Sequence, residues 1–207
     1  MGLLQVMRHF ISAALIASAF FTSPSIAADL SRPTNPEETS VPLQRSDSIF
    51  DEARFGVLAS VDDSEFYEED GQFITGMLFF DPWAHREAQG WDRVLRPRIH
   101  VGGTIATEND TNQVYGGLSW TADITDRFFL ELGLGGTLHD GDLDASDGGD
   151  GPKLGCRALF HEYLAAGLNV TEKWSVIAHI EHSSHANLCD GPNNGLSRAG
   201  VMVGYKF

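Results

Sequence analysis

The chain has 207 residues, the size of one domain, and its 14 Lys and Arg against 29 Asp and Glu give a formal net charge of −15. Nucleic-acid binding needs clustered cations to meet phosphates, so this balance argues against a nucleic-acid partner. The acidic residues concentrate in segments with loop composition and read as a solvated surface.

The chain starts MGLLQVMRHFISAALIASAFFTSPSIAADL: a basic start at Arg8 and His9, an apolar run over 10–21, and the small-residue pattern Ser25-Ile26-Ala27. This predicts a secretory signal over 1–27, cut before Ala28. The run is shorter than the ~20 residues a helix needs to cross a bilayer, and no later segment offers another. Two destinations follow, a soluble exported protein or an outer-membrane β-barrel. The polar, Pro-punctuated stretch 28–53 reads as an extended tail, with a short recognition segment as the alternative.

Alternating apolarity then predicts strands over 54–61, 73–80, 94–106, 113–121, 127–138, 155–168, 174–185 and 197–207. In the third, Leu95, Ile99, Val101 and Ile105 share one face, opposite Arg96, Arg98 and His100. In the fifth, Phe128, Leu130, Leu132 and Leu134 oppose Arg127 and Glu131. In the last, Val201, Val203, Tyr205 and Phe207 oppose Arg198, Gly200, Gly204 and Lys206. One face is therefore apolar and the other charged, which a soluble sandwich also satisfies.

Three features select the membrane barrel. The chain ends Gly204-Tyr205-Lys206-Phe207, a terminal Phe with aromatics at alternate positions that looks like the C-terminal signature of bacterial outer-membrane barrels. Connections at one end are long and acidic (62–72 and 139–153), while most at the other are short (122–126 and 169–173). The strand count is eight, the even number of the smallest such barrels. The expected fold is all-β, an eight-stranded antiparallel transmembrane β-barrel over 54–207, with both termini in the periplasm and the acidic loops outside the cell. Its charged lumen residues, with His179 and Glu181, read as a polar plug, and an eight-stranded barrel filled this way leaves no passive channel. The connection 81–93 is longer than a usual periplasmic turn, and no sequence feature accounts for it.

The seventh strand carries the sharpest signal. Trp174, Val176, Ala178 and Ile180 form its lipid-facing stripe, so His182 and Ser184 continue on the outside of the barrel. Ser197 has the parity of Val201 on the eighth strand and faces lipid beside them. A His and a Ser two apart on one face meet the first requirement of an activated serine nucleophile. Such a site opens sideways into lipid and suits a substrate that stays in the membrane. The competing reading is a polar strand end at the headgroup level.

The segment His182-Ser183-Ser184-His185-Ala186-Asn187, followed by Asn193-Asn194-Gly195-Leu196 and the last strand, resembles the lipid A 3-O-deacylase (PagL, acyloxyacyl hydrolase-like) family of outer-membrane enzymes. The family pattern is His-x-Ser-Asn-Ala, then Asn-x-Gly-Ile/Leu-acid, then the final strand. The resemblance implies a serine esterase at the outer leaflet of a Gram-negative outer membrane that removes an ester-linked acyl chain, the 3-O chain of lipid A in the family. Ser184 would be the nucleophile and His182 the general base. Asn193 and the backbone amide of His185, just after the nucleophile, would hold the oxyanion. No cofactor and no metal are implied, and the partners are lipid A or lipopolysaccharide and outer-membrane lipid; a homodimer is compatible with the sequence but not specified by it.

Two positions depart from the pattern: His185 stands where the family has Asn, and Ser197 stands at the family acid position. The acid orients the imidazole and stabilises its charged form, and its loss in a Ser-His-Asp system costs ~10⁴ in turnover. Glu162 on the sixth strand is the candidate substitute acid: if 169–173 is a tight turn, it stands roughly level with His182. A one-residue slip would reverse its face and pair it instead with Arg96, Arg98 or Arg198 inside the barrel.

Cys156 and Cys189 are the two cysteines of the chain, both expected at the outer rim, and an oxidising compartment favours a disulfide between them. The loop HDGDLDASDGGDGP lacks the Gly and closing Glu of an EF-hand and reads as an acidic loop before a calcium site. Two functions remain: a lipid A deacylase, or a non-catalytic barrel of the same family with a structural or adhesive role. The charge partner of His182 discriminates them.

Overall fold

A computed structural model describes residues 49–61, 69, 71–148 and 151–207. The predicted signal, most of the expected tail and most of the first acidic loop lie outside the described residues. Eight strands, β1 (Phe50–Ser60), β2 (Gln72–Phe80), β3 (Arg98–Ala106), β4 (Gln113–Asp123), β5 (Phe128–His139), β6 (Ala158–Asn169), β7 (Trp174–Ser184) and β8 (Leu196–Lys206), pair antiparallel in chain order. β1 pairs with β8 from Glu52↔Lys206 to Ser60↔Arg198, closing the barrel and leaving no edge. Each strand is 9 to 12 residues long, and ~9–11 tilted residues cross a hydrocarbon core.

The period of two decides what faces where. Outward positions such as Val57, Ile74, Ile105, Leu134, Leu164 and Val201 are exposed large hydrophobics on every side of the barrel. A soluble protein does not cover its whole wall this way; a lipid-solvated one does. Inward positions combine an apolar cluster, including Met77, Phe79, Tyr163 and Met202, with buried charge. Glu131 is the centre of that charge. It accepts from Arg54 Nη1 at 2.7 Å, from the Tyr163 hydroxyl at 2.8 Å, from Thr121 Oγ1 at 2.8 Å and from Arg98. Both guanidinium groups also lie against the Phe79 ring, at 4.2 and 4.4 Å, and both bond Glu52. At the loop end Arg198 closes the lumen by donating to Glu69 at 2.8 and 2.9 Å and to the Thr111 carbonyl at 2.7 Å.

Around the terminus end the outward aromatics form a girdle. Phe80 meets Phe50 (5.1 Å between centroids), Phe50 meets Phe207 (6.4 Å), Phe207 meets Tyr205 (5.6 Å), and Tyr205 meets Trp174 (4.9 Å). The terminal Phe207 is therefore part of a ring of interface aromatics, the usual placement for such side chains at a membrane boundary.

Strand boundaries fall within three residues of expectation except at two starts. β1 begins at Phe50 rather than 54, because Phe50 joins the girdle and Glu52 reaches Arg54 and Arg98 in the lumen. β3 begins at Arg98 rather than 94, and Leu95 and Arg96 do not belong to it. Trp91–Leu95 is a short helix, α1, flanked by Gly90 at φ 56 and ended before Pro97, which cannot extend it as a helix. Arg127 likewise lies in the β4–β5 turn and is exposed, not lumenal.

Candidate active site at the lipid face

His182 and Ser184 sit on the last turn-proximal positions of β7, with outward parity. Their Cα atoms are about 6.6 Å apart along a strand, so the two side chains must lean together to meet. The neighbouring strands set a row at the level of His182: Glu162 of β6 on one side and Ser197 of β8 on the other. His182 Nδ1 and Ser197 Oγ are hydrogen-bonded at 2.9 Å. With its proton on Nδ1 the imidazole donates to Ser197, which leaves Nε2 as the base.

Glu162 lies between Phe160 and Leu164, both exposed on the lipid side, so it faces outward. The inward alternative, pairing with Arg96, Arg98 or Arg198, does not hold. Arg98 is bound to Asp51, Glu52 and Glu131, Arg198 to Glu69, and Arg96 to Asp92 near the opposite end. Directly opposed residues of neighbouring strands have Cβ atoms ~4.5–5.5 Å apart, so Glu162 and His182 start side by side, with the imidazole bonded on its other side to Ser197.

The loop after Ser184 is built around His185, whose side chain is buried on the inward side. Its ring accepts the Cys189 N–H at Nδ1 (3.3 Å) and donates from Nε2 to the Pro192 carbonyl (3.0 Å), pinning the loop at both ends. Ala186 and Asn187 then adopt left-handed backbone, φ 49 and 60, and the Leu188 N–H returns to the His185 carbonyl at 2.9 Å. A left-handed conformation at a residue with Cβ costs about 1–2 kcal/mol, which the pinned loop must hold in place. The disulfide Cys156–Cys189 ties this loop to the segment before β6.

The Asn-Asn-Gly motif has three separate jobs. Asn193 Oδ1 accepts the His185 N–H at 3.1 Å. Asn194 pairs with Lys153 through both backbone and side chain, each bond 3.1 Å. Gly195 has φ 74, and a Cβ there would stand 2.8 Å from His182 Cε1. Glycine is thus required both by the turn and by the imidazole packed against it. The His185 amide, expected among the oxyanion donors, instead donates to Asn193 Oδ1.

A second Ser–His contact lies inside the barrel. Ser183 Oγ and His161 Nδ1 are 3.0 Å apart, both fully buried, and Gln113 links Ser183 to Glu181, which also bonds His179 at 3.2 Å. Sequence reasoning anticipated polar residues here but not this pair, whose members come from different strands. Cys156, His185 and Cys189 bring metal-ligating atoms within 4.8 Å of one another, but the sulfurs are joined and both ring nitrogens hold hydrogen bonds. In the acidic loop Asp144 and Asp147 cap its own 3₁₀ turn (Ala145–Asp147), and Asp142 accepts from Lys153 at 2.7 Å.

Reducing the disulfide is predicted to leave the barrel folded while opening the 140–157 and 185–195 loops to protease. The crosslink spans 33 positions, for which chain entropy gives about 3–4 kcal/mol of local restraint. Limited proteolysis with and without reductant, read beside the heat-dependent gel mobility of the barrel, checks this.

The fold and the row of residues on its wall define a small outer-membrane barrel with an imidazole and a hydroxyl turned toward lipid. A family model for lipid A 3-O-deacylase (PagL) matches residues 78–206, and the chain belongs to that family. A crystal structure described as the outer membrane enzyme PagL superposes with a TM-score of 0.57 at 19% identity, covering 75% of this chain and 99% of that one. A de novo designed transmembrane β-barrel also matches, with TM-score 0.46 and 10% identity, covering 78% and 98%. No curated protein sequence matches the chain. The family and the barrel indicate the outer membrane of a Gram-negative cell.

Proposed function

We propose that this chain is a lipid A deacylase in which the two tasks of a single catalytic acid are divided between Ser197 and Glu162. The observation that carries the reading is the outward row Glu162–His182–Ser197, with the 2.9 Å bond at its eighth-strand end and Ser184 two residues along β7. His182 Nε2 takes the proton of Ser184 as Oγ attacks the acyl carbonyl, and Asn193 Nδ2 donates to the oxyanion. The intermediate collapses by breaking the ester C–O bond, and His182 returns its proton to the departing sugar oxygen. Water, deprotonated by the same imidazole, then releases the fatty acid and restores the serine.

Ser197 fixes the ring and its tautomer without carrying charge. Glu162 supplies the charge from the neighbouring strand. If the carboxylate swings to within ~5 Å of the imidazolium, an effective dielectric of ~20 sets the attraction at no more than about 3 kcal/mol, at most roughly 10² in rate. That falls short of the ~10⁴ that a directly bonded acid provides, so the enzyme is expected to be slow. The site lies at the loop end, opposite Phe50 and Phe207, which corresponds in this reading to the outer leaflet and an ester-linked chain of lipid A, the 3-O chain by family.

The test is a double-mutant cycle on lipid A with acyl loss read by mass spectrometry. Glu162→Gln is expected to lower turnover, by up to about 10²-fold, the ceiling set by the charge contribution above. Ser197→Glu is expected to raise turnover and to make Glu162→Gln nearly silent. An unchanged rate for Glu162→Gln in the native background would remove Glu162 from the mechanism. The second reading, a non-catalytic barrel, draws on one observation: the group bonded to His182 Nδ1 is a hydroxyl and not a carboxylate.

A further inference from the structure

Among the described residues, the β2–β3 connection is the one terminus-end segment with a helix, and it presents its apolar side outward. Trp91 is 82% exposed, Leu95 76% and Val94 51%, and Trp83 earlier in the segment is 46% exposed. Positions 91, 94 and 95 have the i, i+3, i+4 spacing of one helix face. Exposure of that size in a short segment otherwise fixed to the barrel calls for an occupant.

The fixing contacts say where the helix lies. All three go to the end of β4. Trp120, an outward residue, donates from Nε1 to the Val94 carbonyl at 2.9 Å. Arg93 Nη2 donates to Asp123 at 3.1 Å. The buried His85 accepts the Thr121 N–H at 3.0 Å and donates from Nδ1 to the Arg96 carbonyl at 2.8 Å, joining the strand to the end of the helix. Trp120 has outward and Asp123 inward parity on β4, so these bonds hold the helix at the rim of the wall, with Val94 on its outer side.

That position coincides with a gap in the aromatic girdle. Phe80 represents β2, Trp120 β4 and Phe128 β5, while the last clearly outward residue of β6 is Leu168, and β3 starts with inward Arg98 and outward Ile99 and supplies no aromatic. Trp83 and Trp91 come from the segment that leads into β3. The apolar residues of the helix thereby extend the row of outward aromatics, while its Arg93 and Arg96 pair with Asp123 and Asp92.

We propose that α1 is an interfacial membrane anchor, its Trp91, Val94 and Leu95 side chains lying at the boundary between headgroups and acyl chains of the leaflet at the terminus end. This completes the girdle across β3 and fixes the barrel's depth there, independently of any activity at the opposite end.

The test uses the full mature chain refolded in phosphatidylcholine vesicles, carrying Trp83→Phe and Trp174→Phe, with and without Trp91→Phe; Trp120 is kept because it holds the helix. The difference between the two spectra is Trp91 emission. Folding is verified by heat-dependent gel mobility. The expected result is blue-shifted Trp91 emission, quenched more by lipids brominated near the glycerol end than by lipids brominated near the chain terminus, and little affected by aqueous iodide. Red-shifted emission quenched by iodide and indifferent to bromolipid would overturn the proposal. Emission shielded from both quenchers would also overturn it, in favour of a second copy on the helix.

Discussion

Ser184→Ala is expected to lower release of the acyl chain from lipid A at least ~10³-fold, while Ser183→Ala leaves it within a few fold, because only the first removes a nucleophile. The two residues are neighbours in sequence and opposite in the barrel wall. Ser184 faces lipid with His182, Glu162 and Ser197; Ser183 is buried in the lumen against His161 and Gln113. No bulky lipid reaches Ser183 through a lumen filled by side chains. Its replacement instead strands the His161 ring and the Gln113 carboxamide, costing about 1–3 kcal/mol of stability, visible as a lower urea midpoint. Equal loss of activity in both variants, with folding intact, would break the assignment of faces to functions.

The second large effect is on folding. Glu131→Ala is expected to destabilise the barrel by about 3–5 kcal/mol, the typical result of deleting one partner from a buried charge cluster. Four donors converge on that carboxylate, two of them from arginines packed on one Phe79 ring. Without it, Arg54 and Arg98 share only Glu52 and Asp51. Pairing Glu131→Ala with Arg98→Met should restore part of the loss, since the unpaired charge then leaves with its counter-charge. A urea midpoint equal to wild type for the single variant would contradict this account of the lumen.

What could be read from the sequence follows from what alternation encodes. Strand identity and face survive wherever one side must be apolar, so the outward stripe through Ile180 to His182 and Ser184 was legible without coordinates. The start of β3 was not. Leu95 and Arg96 fall in phase with the strand beyond Pro97, and a helical turn of five residues is too short to show its own period. Glu162 was half legible: the tight turn, closed by the Val170 and Thr171 amides on the Trp174 carbonyl, set its level, but its face was not legible, because Phe160 and Leu164 beside it alternate with equally apolar Leu159 and Tyr163. His185 was least legible. Its partners, the Cys189 amide and the Pro192 carbonyl, are backbone groups that leave no trace in side-chain pattern. Gly195 marks the opposite case, a motif residue whose reason emerges only with the imidazole beside it.

The most direct test of the central claim is acyl loss from purified lipid A, measured by mass spectrometry after incubation with the refolded wild-type barrel. The account predicts a slow, metal-independent loss of one ester-linked hydroxyacyl chain, accelerated in Ser197→Glu. Intact lipid A after incubation with both proteins, each verified as folded, would contradict it and leave a non-catalytic barrel of the family.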